Sequence, residues 1–295
     1  MASGLSLGAI YALVGLSLNI VFLSTRVISF AQGDVGMLAV AGALWLQENR
    51  GLSIGEGLIV GFAGAIAVGL LIDLACVRAL RTIAGTSAYG WIVSTLGASI
   101  VIQNSTAMWF GSESVVFPSV LPTGVVHIFG GLVALEKLET LAVVVVVVAV
   151  LAMLVQATQW GRAARAIALN SDIAAVCGVN VSLLRATVIA IAALLVSLAA
   201  MLSTPQTFVN AYIGTALLLN GVVGVVLGGI GRVPQGLLGG LALGLANAFA
   251  GRYAPAGLVP YVPFILLLGW LVLAPEVRRV AGARRSRMDV GYATE

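Results

Sequence analysis

The chain has few of the residues on which most enzymes and soluble domains depend. Only 9% of its 295 residues are Asp, Glu, Lys or Arg, whereas a soluble domain carries roughly 25%. Hydrophobic residues make up 60% of the chain, and its mean hydropathy is +1.11. A chain with so few polar residues cannot cover its whole surface with groups that face water, which excludes an ordinary soluble protein. We therefore expect an integral membrane protein with several spans of about 20 residues each.

The scarcity of three residue types excludes several chemistries. Lys137 is the only lysine and His127 the only histidine, which excludes a G-x-x-x-x-G-K-[ST] phosphate loop, a metal cluster and a histidine-based triad. Cys76 and Cys177 are too few for a disulfide framework, and they lie on or near the predicted cytoplasmic side, where thiols stay reduced. The sequence therefore predicts neither an enzyme nor a resident metal or cofactor.

Long apolar runs predict an all-α polytopic membrane protein with about nine transmembrane helices, within a range of eight to ten. The second span is unusual because it contains Gln32 and Asp34, and the seventh and eighth spans are short. The predicted spans are Leu5–Leu23, Val27–Gln47, Gly57–Val77, Ala88–Phe110, Leu141–Gln156, Ala186–Ser203, Thr215–Ile230, Gly236–Gly251 and Leu258–Ala274.

Basic residues are distributed unevenly between the loops that these spans define. With the N-terminus outside, twelve of the 15 Lys and Arg residues fall on the cytoplasmic side, and only Arg50, Lys137 and Arg252 fall outside. Cytoplasmic loops of membrane proteins are enriched in basic residues. The asymmetry therefore predicts an external N-terminus and a cytoplasmic C-terminus, and it explains the pI near 9.4 without a nucleic-acid partner.

We expect one transmembrane domain over residues 1–275, followed by a charged cytoplasmic tail over 276–295. The first span has no basic region before it and no small-residue cleavage site before Arg26, so it is predicted to be a retained helix and not a signal peptide. The longest external segment, residues 111–140, is long enough for a small ordered cap or for a plain connector.

A polar cytoplasmic segment, residues 157–185, separates the fifth and sixth spans. One helical face, at positions 164, 167, 168, 171, 174 and 175, is mostly Ala and Ile. Such a helix either lies flat on the membrane or docks into a groove on a partner, and we favour docking. The sequence predicts that this helix ends at Cys177-Gly178. The candidate residues for docking are Gly161, Arg162, Arg165, Ala168, Asp172, Ala174 and Gly178.

Strong polar groups inside the spans are candidates for a solute pathway. The run Ser29–Asp34 places Gln32, Gly33 and Asp34 at membrane depth, where an ionisable group is costly unless it faces a cavity or a partner. Gly33 is a candidate for a local break in the helix. These polar groups either line a route or form interhelical hydrogen bonds that fix packing. The complete candidate set is Asn19, Gln32, Asp34, Gln103, Asn104, Asn220 and Asn247.

Glycines four residues apart predict close helix packing at three places. The pairs are Gly57/Gly61 and Gly224/Gly228, and Gly236, Gly240 and Gly244 form a triplet. Gly231 and Pro234 indicate a tight turn between two helices.

Several of these stretches resemble the permease subunits of branched-chain amino acid ABC transporters, the LivH-like group, over nearly the full length. The second-span motif departs from the family pattern, because Ser29-Phe30-Ala31-Gln32-Gly33-Asp34 stands where Asn-Phe-Ala-His-Gly-Glu is usual. Family members also carry urea, amides and aromatic acids, so the departure leaves the solute open. The stretches that carry the resemblance are GLSLGAIYALVGLSLNIVF, VISFAQGDVGML, TLGASIVIQN, GRAARAIALNSDIAAVCGVNVSLLR and VVLGGIGRVPQGLLGGLALG.

The resemblance implies an ABC importer permease fold in the bacterial inner membrane and a set of partners. These are a second, homologous permease, two cytoplasmic ATPases that bind the ATP, and an extracytoplasmic solute-binding protein. The segment Gly161–Gly178 would match the coupling helix on which an ATPase docks, and solute would move by alternating access. A secondary transporter or channel is the competing class, but a self-contained carrier has no need of a docking helix.

Overall fold

A computed structural model describes residues 2–25, 27–78, 90–111, 113–117, 124–128, 131–231 and 233–273. The start of the fourth predicted span at Ala88, the residues Arg26, Arg81 and Arg232, and the tail 276–295 lie outside these ranges. The longer helices within them are α1 (Ala2–Thr25), α2 (Gln32–Arg50), α3 (Ile54–Ile72), α4 (Gly90–Phe110), α5 (Leu135–Ala157), α8 (Val181–Ser203), α9 (Ile213–Gly228), α10 (Val233–Tyr253) and α11 (262–273).

Each of the nine predicted spans corresponds to one of these helices within the described part of the chain. Among the described residues, five helices are long and apolar enough to cross a membrane by length and composition. These helices contain Ser3–Thr25, Ile54–Cys76, Leu135–Ala157, Val181–Ser203 and Val233–Tyr253. Two short helices, α6 (Gln159–Leu169) and α7 (Ser171–Val176), occupy the predicted cytoplasmic segment.

Local sequence signals explain where several helices begin and end. At the start of α3, the Ser53 hydroxyl accepts from the Glu56 N–H at 3.3 Å, while the Glu56 carboxylate accepts from the Ser53 N–H at 3.0 Å. This capping box satisfies two N–H groups that would otherwise lack partners. Just before it, Gly51 ends α2 with a φ of +64°, a conformation that glycine adopts without a steric penalty.

The first helix lies at the centre of the bundle. It packs against α5, α8, α9 and α10, and Ile10, Leu13 and Val14 are fully buried. Its contact with α10 depends on small residues, because a Cβ on Gly240 would overlap the Ala12 backbone and one on Gly244 would overlap the Gly8 backbone. Such close approach gains dispersion contacts that lipid does not supply.

The other predicted glycine contacts agree with the structure. Gly57 and Gly61 on α3 pack against the backbone of Ala43 and Ala39 on α2. Gly224 on α9 faces Gly240 on α10, and Gly228 lies against the turn into α10. Four-residue glycine spacing therefore marks helix crossings at all three predicted places.

The connection between α1 and α2 is the main difference from the predicted spans. The second span was predicted from Val27, but the structure has no helix over 27–31, and α2 begins at Gln32. Ile28 lies beside Leu18 and Phe22 of α1, so the non-helical segment packs alongside α1. The predicted break at Gly33 is therefore wrong in position, because the break lies upstream and Gly33 is within the first turn of α2.

The predicted external segment, for which the sequence left a small cap and a plain connector open, contains a short ordered element. Strand β1 (Val125–Ile128) pairs antiparallel with β2 (Gly131–Ala134), and α5 follows directly. Val115 and Val209 exchange two backbone hydrogen bonds of 2.9 Å, which join this segment to the loop before α9. The fifth helix thus starts at Leu135, six residues before its predicted start.

Candidate functional site

Two helices place three polar side chains around one buried carboxylate on a third helix. Asp34, in the first turn of α2, is only 1% exposed. The Ser99 hydroxyl of α4 donates to Asp34 Oδ2, and Gln103 Nε2 of α4 donates to Oδ1 at 3.1 Å. The Thr215 hydroxyl of α9 lies 3.4 Å from the same Oδ1 and 2.6 Å from Gln103 Nε2. We call these four residues the Asp34 network.

Glycines allow α2 and α9 to meet at the network. A Cβ on Gly33 would overlap the Gly214 carbonyl and lie 2.7 Å from Leu218 Cβ, and a Cβ on Gly214 would lie 2.7 Å from Asp34 Oδ1. Any other residue at either position would push the two helices apart. The carboxylate thus lies beside the N-terminal turn of α9 as well as in the first turn of its own helix, and both turns favour negative charge.

The fourth helix turns polar residues inward. Its buried side chains are Thr95, Ser99 and Thr106, and Gln103 lies on the same side. Large apolar residues on α4, including Val101 and Met108, are exposed. Lipid favours this orientation, because hydrocarbon solvates the apolar residues and cannot pair with hydroxyl and amide groups. The inward polar groups are suited to line a polar route.

The structure brings together two of the seven predicted pathway residues, Asp34 and Gln103. Gln32 is also buried near the start of α2, and its Nε2 has no hydrogen-bond partner among the described residues. Asn104 is exposed on another side of α4 and donates to the Ile100 carbonyl of its own helix at 2.8 Å. Asn104 therefore lies apart from the Asp34 network.

The remaining three asparagines lie at other helix contacts. Asn19 is fully buried on α1, and its Oδ1 accepts from the Gly231 N–H at 2.8 Å, which fixes the predicted turn before α10. Asn220 donates to the Ala216 carbonyl within α9 at 2.8 Å. Asn247 of α10 is hydrogen-bonded to the Tyr11 side chain of α1. A pathway role for these residues stays a prediction, and their contacts are those of helix packing.

Sequence reasoning missed Ser99 and Thr215. Ser99 could have been identified from the sequence, because it precedes Gln103 by four residues and therefore lies on the same face of the helix. Thr215 could not, since nothing in the sequence near α9 indicates that this end of the helix meets α2.

The predicted cytoplasmic segment is folded by defined caps. Gly161 allows α6 to turn back on α5, because a Cβ there would overlap the Val155 backbone. Asn170 Oδ1 accepts from the Ile173 N–H at 3.2 Å and starts α7. Gly178, with a φ of +86°, ends α7, as the sequence predicted. The Val179 N–H then donates to the Ala174 carbonyl at 3.1 Å, which completes a Schellman motif.

The Ala/Ile face predicted for a single helix is divided between α6 and α7, and it is only partly buried, since Ile167 and Ala174 face inward while Ala175 is exposed. Ala174 is 3% exposed and packs with Ile167 and with Leu184 of α8. Ala168 is partly buried, and Asp172 lies on α7. The exposed side carries Arg162, Arg165 and three large apolar residues, Leu169, Ile173 and Val176.

Residues 1–273 match the family described as branched-chain amino acid transport system / permease component. The chain belongs to this family. The permease is 29% identical over 288 residues to the high-affinity branched-chain amino acid transport system permease protein LivH of Escherichia coli (strain K12), with 93% of this chain and 92% of LivH covered. It is also 29% identical over 288 residues to BraD of Pseudomonas aeruginosa, a protein with the corresponding description, with 93% of each chain covered.

A solved structure agrees with the architecture of the permease. PsaBC from Streptococcus pneumoniae, in complex with Fab, superposes with a TM-score of 0.53 at 13% identity, over 90% of this chain and 88% of the other. At this identity the similarity concerns the fold alone. The predicted polytopic helical permease fold and the predicted family are confirmed, and the family assignment points to a transport role for a multi-pass membrane protein.

The chemistry available at the Asp34 network is binding and not group transfer. Among the described residues, no three His, Cys, Asp or Glu side chains lie together in a way that could hold a metal ion. The described partners of the carboxylate are two hydroxyls and one amide, all neutral. The permease thus places an ionisable carboxyl group at the meeting point of three helices, where such a group is costly unless it has a partner or access to water.

Proposed function

We propose that this permease is the membrane subunit of an ATP-driven importer for branched-chain amino acids. The observation that carries the proposal is the family match over residues 1–273. The permease would pair with a second, homologous permease and move the solute by alternating access. Two cytoplasmic ATPases would bind the ATP, an extracytoplasmic binding protein would deliver the solute, and the complex would lie in the bacterial inner membrane.

The exposed side of the cytoplasmic segment supports an ATPase interaction. Leu169 and Val176 are 87% and 89% exposed, and Ile173 lies between them in sequence. Large apolar side chains in water are unfavourable, and a group of them marks a protein interface. The exposed Arg162 and Arg165 on α6 add positive charge at the same segment. We place ATPase docking on this exposed side, opposite the Ala/Ile face.

The distribution of basic residues supports a cytoplasmic position for this segment. We expect a single cysteine at position 165 to be shielded from an impermeant thiol reagent in intact cells, and one at position 113 to be labelled. Both variants, Arg165→Cys and Glu113→Cys, require Cys76→Ser and Cys177→Ser as the background. Lysed cells provide the control, since both sites should then react. Labelling of Arg165→Cys in intact cells would contradict the orientation.

Uptake by intact cells tests the proposed solute. Deletion of the permease gene is expected to abolish high-affinity uptake of radiolabelled leucine, and expression of the chain should restore it. Excess isoleucine or valine should compete with leucine, whereas urea should not. Leucine uptake that is unchanged by the deletion would contradict the proposed function. Competition by urea would instead assign the permease to another solute.

A further inference from the structure

The Asp34 carboxylate is surrounded by hydrogen-bond donors that bring no positive charge. Ser99, Gln103 and Thr215 supply one donor each, and all three are neutral. A carboxylate that is 1% exposed at membrane depth loses its hydration, and neutral donors compensate for only part of that loss. The network and the N-terminal turns of α2 and α9 therefore stabilise an ionised Asp34 in part, but no cationic side chain among its described partners forms an ion pair with it.

A primary ammonium group has the complementary properties. It carries three N–H donors and one positive charge. It can therefore take the place of the Ser99 and Gln103 donors and supply a positive charge as well. Hydrogen bonds between an ammonium and a carboxylate are shorter and stronger than those between neutral groups. Urea and amides also donate hydrogen bonds, but they bring no charge.

The network is closed in this structure, so binding requires the helices to separate. The cavity next to Gly214, which is lined by Met37, Thr207 and Leu217, measures about 10 Å³, about the volume of a single water probe. Two of the three donors, Ser99 and Gln103, belong to α4. This helix buries small polar side chains against the bundle and leaves much of its apolar surface exposed. Movement of α4 away from α2 would uncover both carboxylate oxygens.

We propose that Asp34 binds the ammonium group of the transported amino acid after α4 separates from α2. This inference rests on the proposed function and narrows it. The solute must carry a cationic amine, which selects amino acids over urea, amides and deaminated acids. The acidic side chain in the second-span motif then has a chemical role in solute selection.

The first test uses the complete complex, with both permeases, the ATPases and the binding protein, in vesicles. Asp34→Asn is expected to lower the initial rate of leucine uptake by about 30-fold or more, the factor expected when one partner of a buried charge pair is removed. The complex should stay assembled and should still hydrolyse ATP. Asp34→Glu, which keeps the charge, should retain more uptake than Asp34→Asn. Ser105→Ala, on the exposed side of α4, is the control and should transport normally.

The second test needs no variant and therefore does not depend on folding of the Asp34→Asn protein. Dicyclohexylcarbodiimide labels the protonated form of buried carboxyl groups, and mass spectrometry measures the label on Asp34. A carboxylate that is paired with an ammonium group is ionised and does not react. During turnover with ATP and binding protein, leucine should protect Asp34 from labelling. Isocaproate, which has the same carbon skeleton without the amine, should give no protection.

Two results would overturn the inference. One is normal leucine uptake by Asp34→Asn, and the other is labelling of Asp34 that leucine leaves unchanged or that isocaproate reduces equally. Failure of the proposed function looks different, because the wild-type complex would then import no leucine at all. If Asp34→Asn does not assemble, protection of the wild-type carboxyl by leucine decides the question.

Discussion

Gly244→Ala is expected to destabilise the permease strongly although it adds a single methyl group. The new Cβ would overlap the backbone of Gly8, and a backbone cannot rotate away as a side chain can. Overpacking of this kind costs about 1–3 kcal/mol, and we expect the upper part of that range because α1 lies at the centre of the bundle. The measurement is the thermal unfolding midpoint of the purified permease in detergent.

Gly97→Ala is the matched control for this substitution. Gly97 also lies inside a helix, α4, but a Cβ there would meet no atom within 4 Å. Alanine is favoured over glycine in a helix by about 0.5–1 kcal/mol, so this variant should be as stable as the wild type or slightly more stable. Equal midpoints for Gly244→Ala and Gly97→Ala would contradict the close contact between α1 and α10.

Val176→Glu and Leu169→Glu are expected to remove the ATPases from the complex and to abolish solute uptake. Both side chains are exposed in the permease, so the substitutions should not disturb its fold. At a docked interface each glutamate would be a buried, unpaired charge, which costs several kcal/mol. Two quantities are measured: the amount of ATPase that co-purifies with the permease, and the solute uptake by vesicles that contain the complex.

Two further variants separate docking from folding. Tyr253→Glu adds the same charge to an exposed site at the end of α10 and should leave ATPase retention unchanged. Ala174→Glu should also lose the ATPases, but for a different reason, since it places a charge among Ile167 and Leu184 and unfolds the segment itself. Protease digestion of the isolated permease should therefore be faster for Ala174→Glu and normal for Val176→Glu. Full ATPase retention by both Val176→Glu and Leu169→Glu would place docking elsewhere.

Much of the helical architecture could be predicted because membrane spans are local signals. Long apolar runs located all nine helices, and glycine spacing located three helix crossings, since both depend on residues close together in the sequence. Gly178 was identified as the end of the cytoplasmic helix for the same reason. The non-helical connection over 27–31 was not predicted, because its residues are as apolar as those of a helix and only their packing beside α1 distinguishes them.

The candidate site was only partly predictable because it joins distant residues. Asp34 meets Ser99 and Thr215 across 65 and 181 residues of sequence, and no pattern near α4 or α9 encodes those pairings. The segment that contains α6 and α7 shows a second limit of prediction from sequence. The periodic Ala and Ile positions indicated an apolar face, part of which is buried at Ile167 and Ala174, but periodicity does not say what covers such a face. In the structure Leu184 of the permease itself covers that part, which leaves the opposite face for a partner.

ATP-dependent uptake by purified components tests the central claim most directly. The permease would be reconstituted into vesicles with its partner permease, the two ATPases and the binding protein, and the accumulation of radiolabelled leucine would be followed with and without ATP. We predict accumulation against a gradient only when ATP and the ATPases are both present. Leucine uptake by vesicles that contain the permeases without ATPases would contradict the account, because the permease would then be a self-contained carrier.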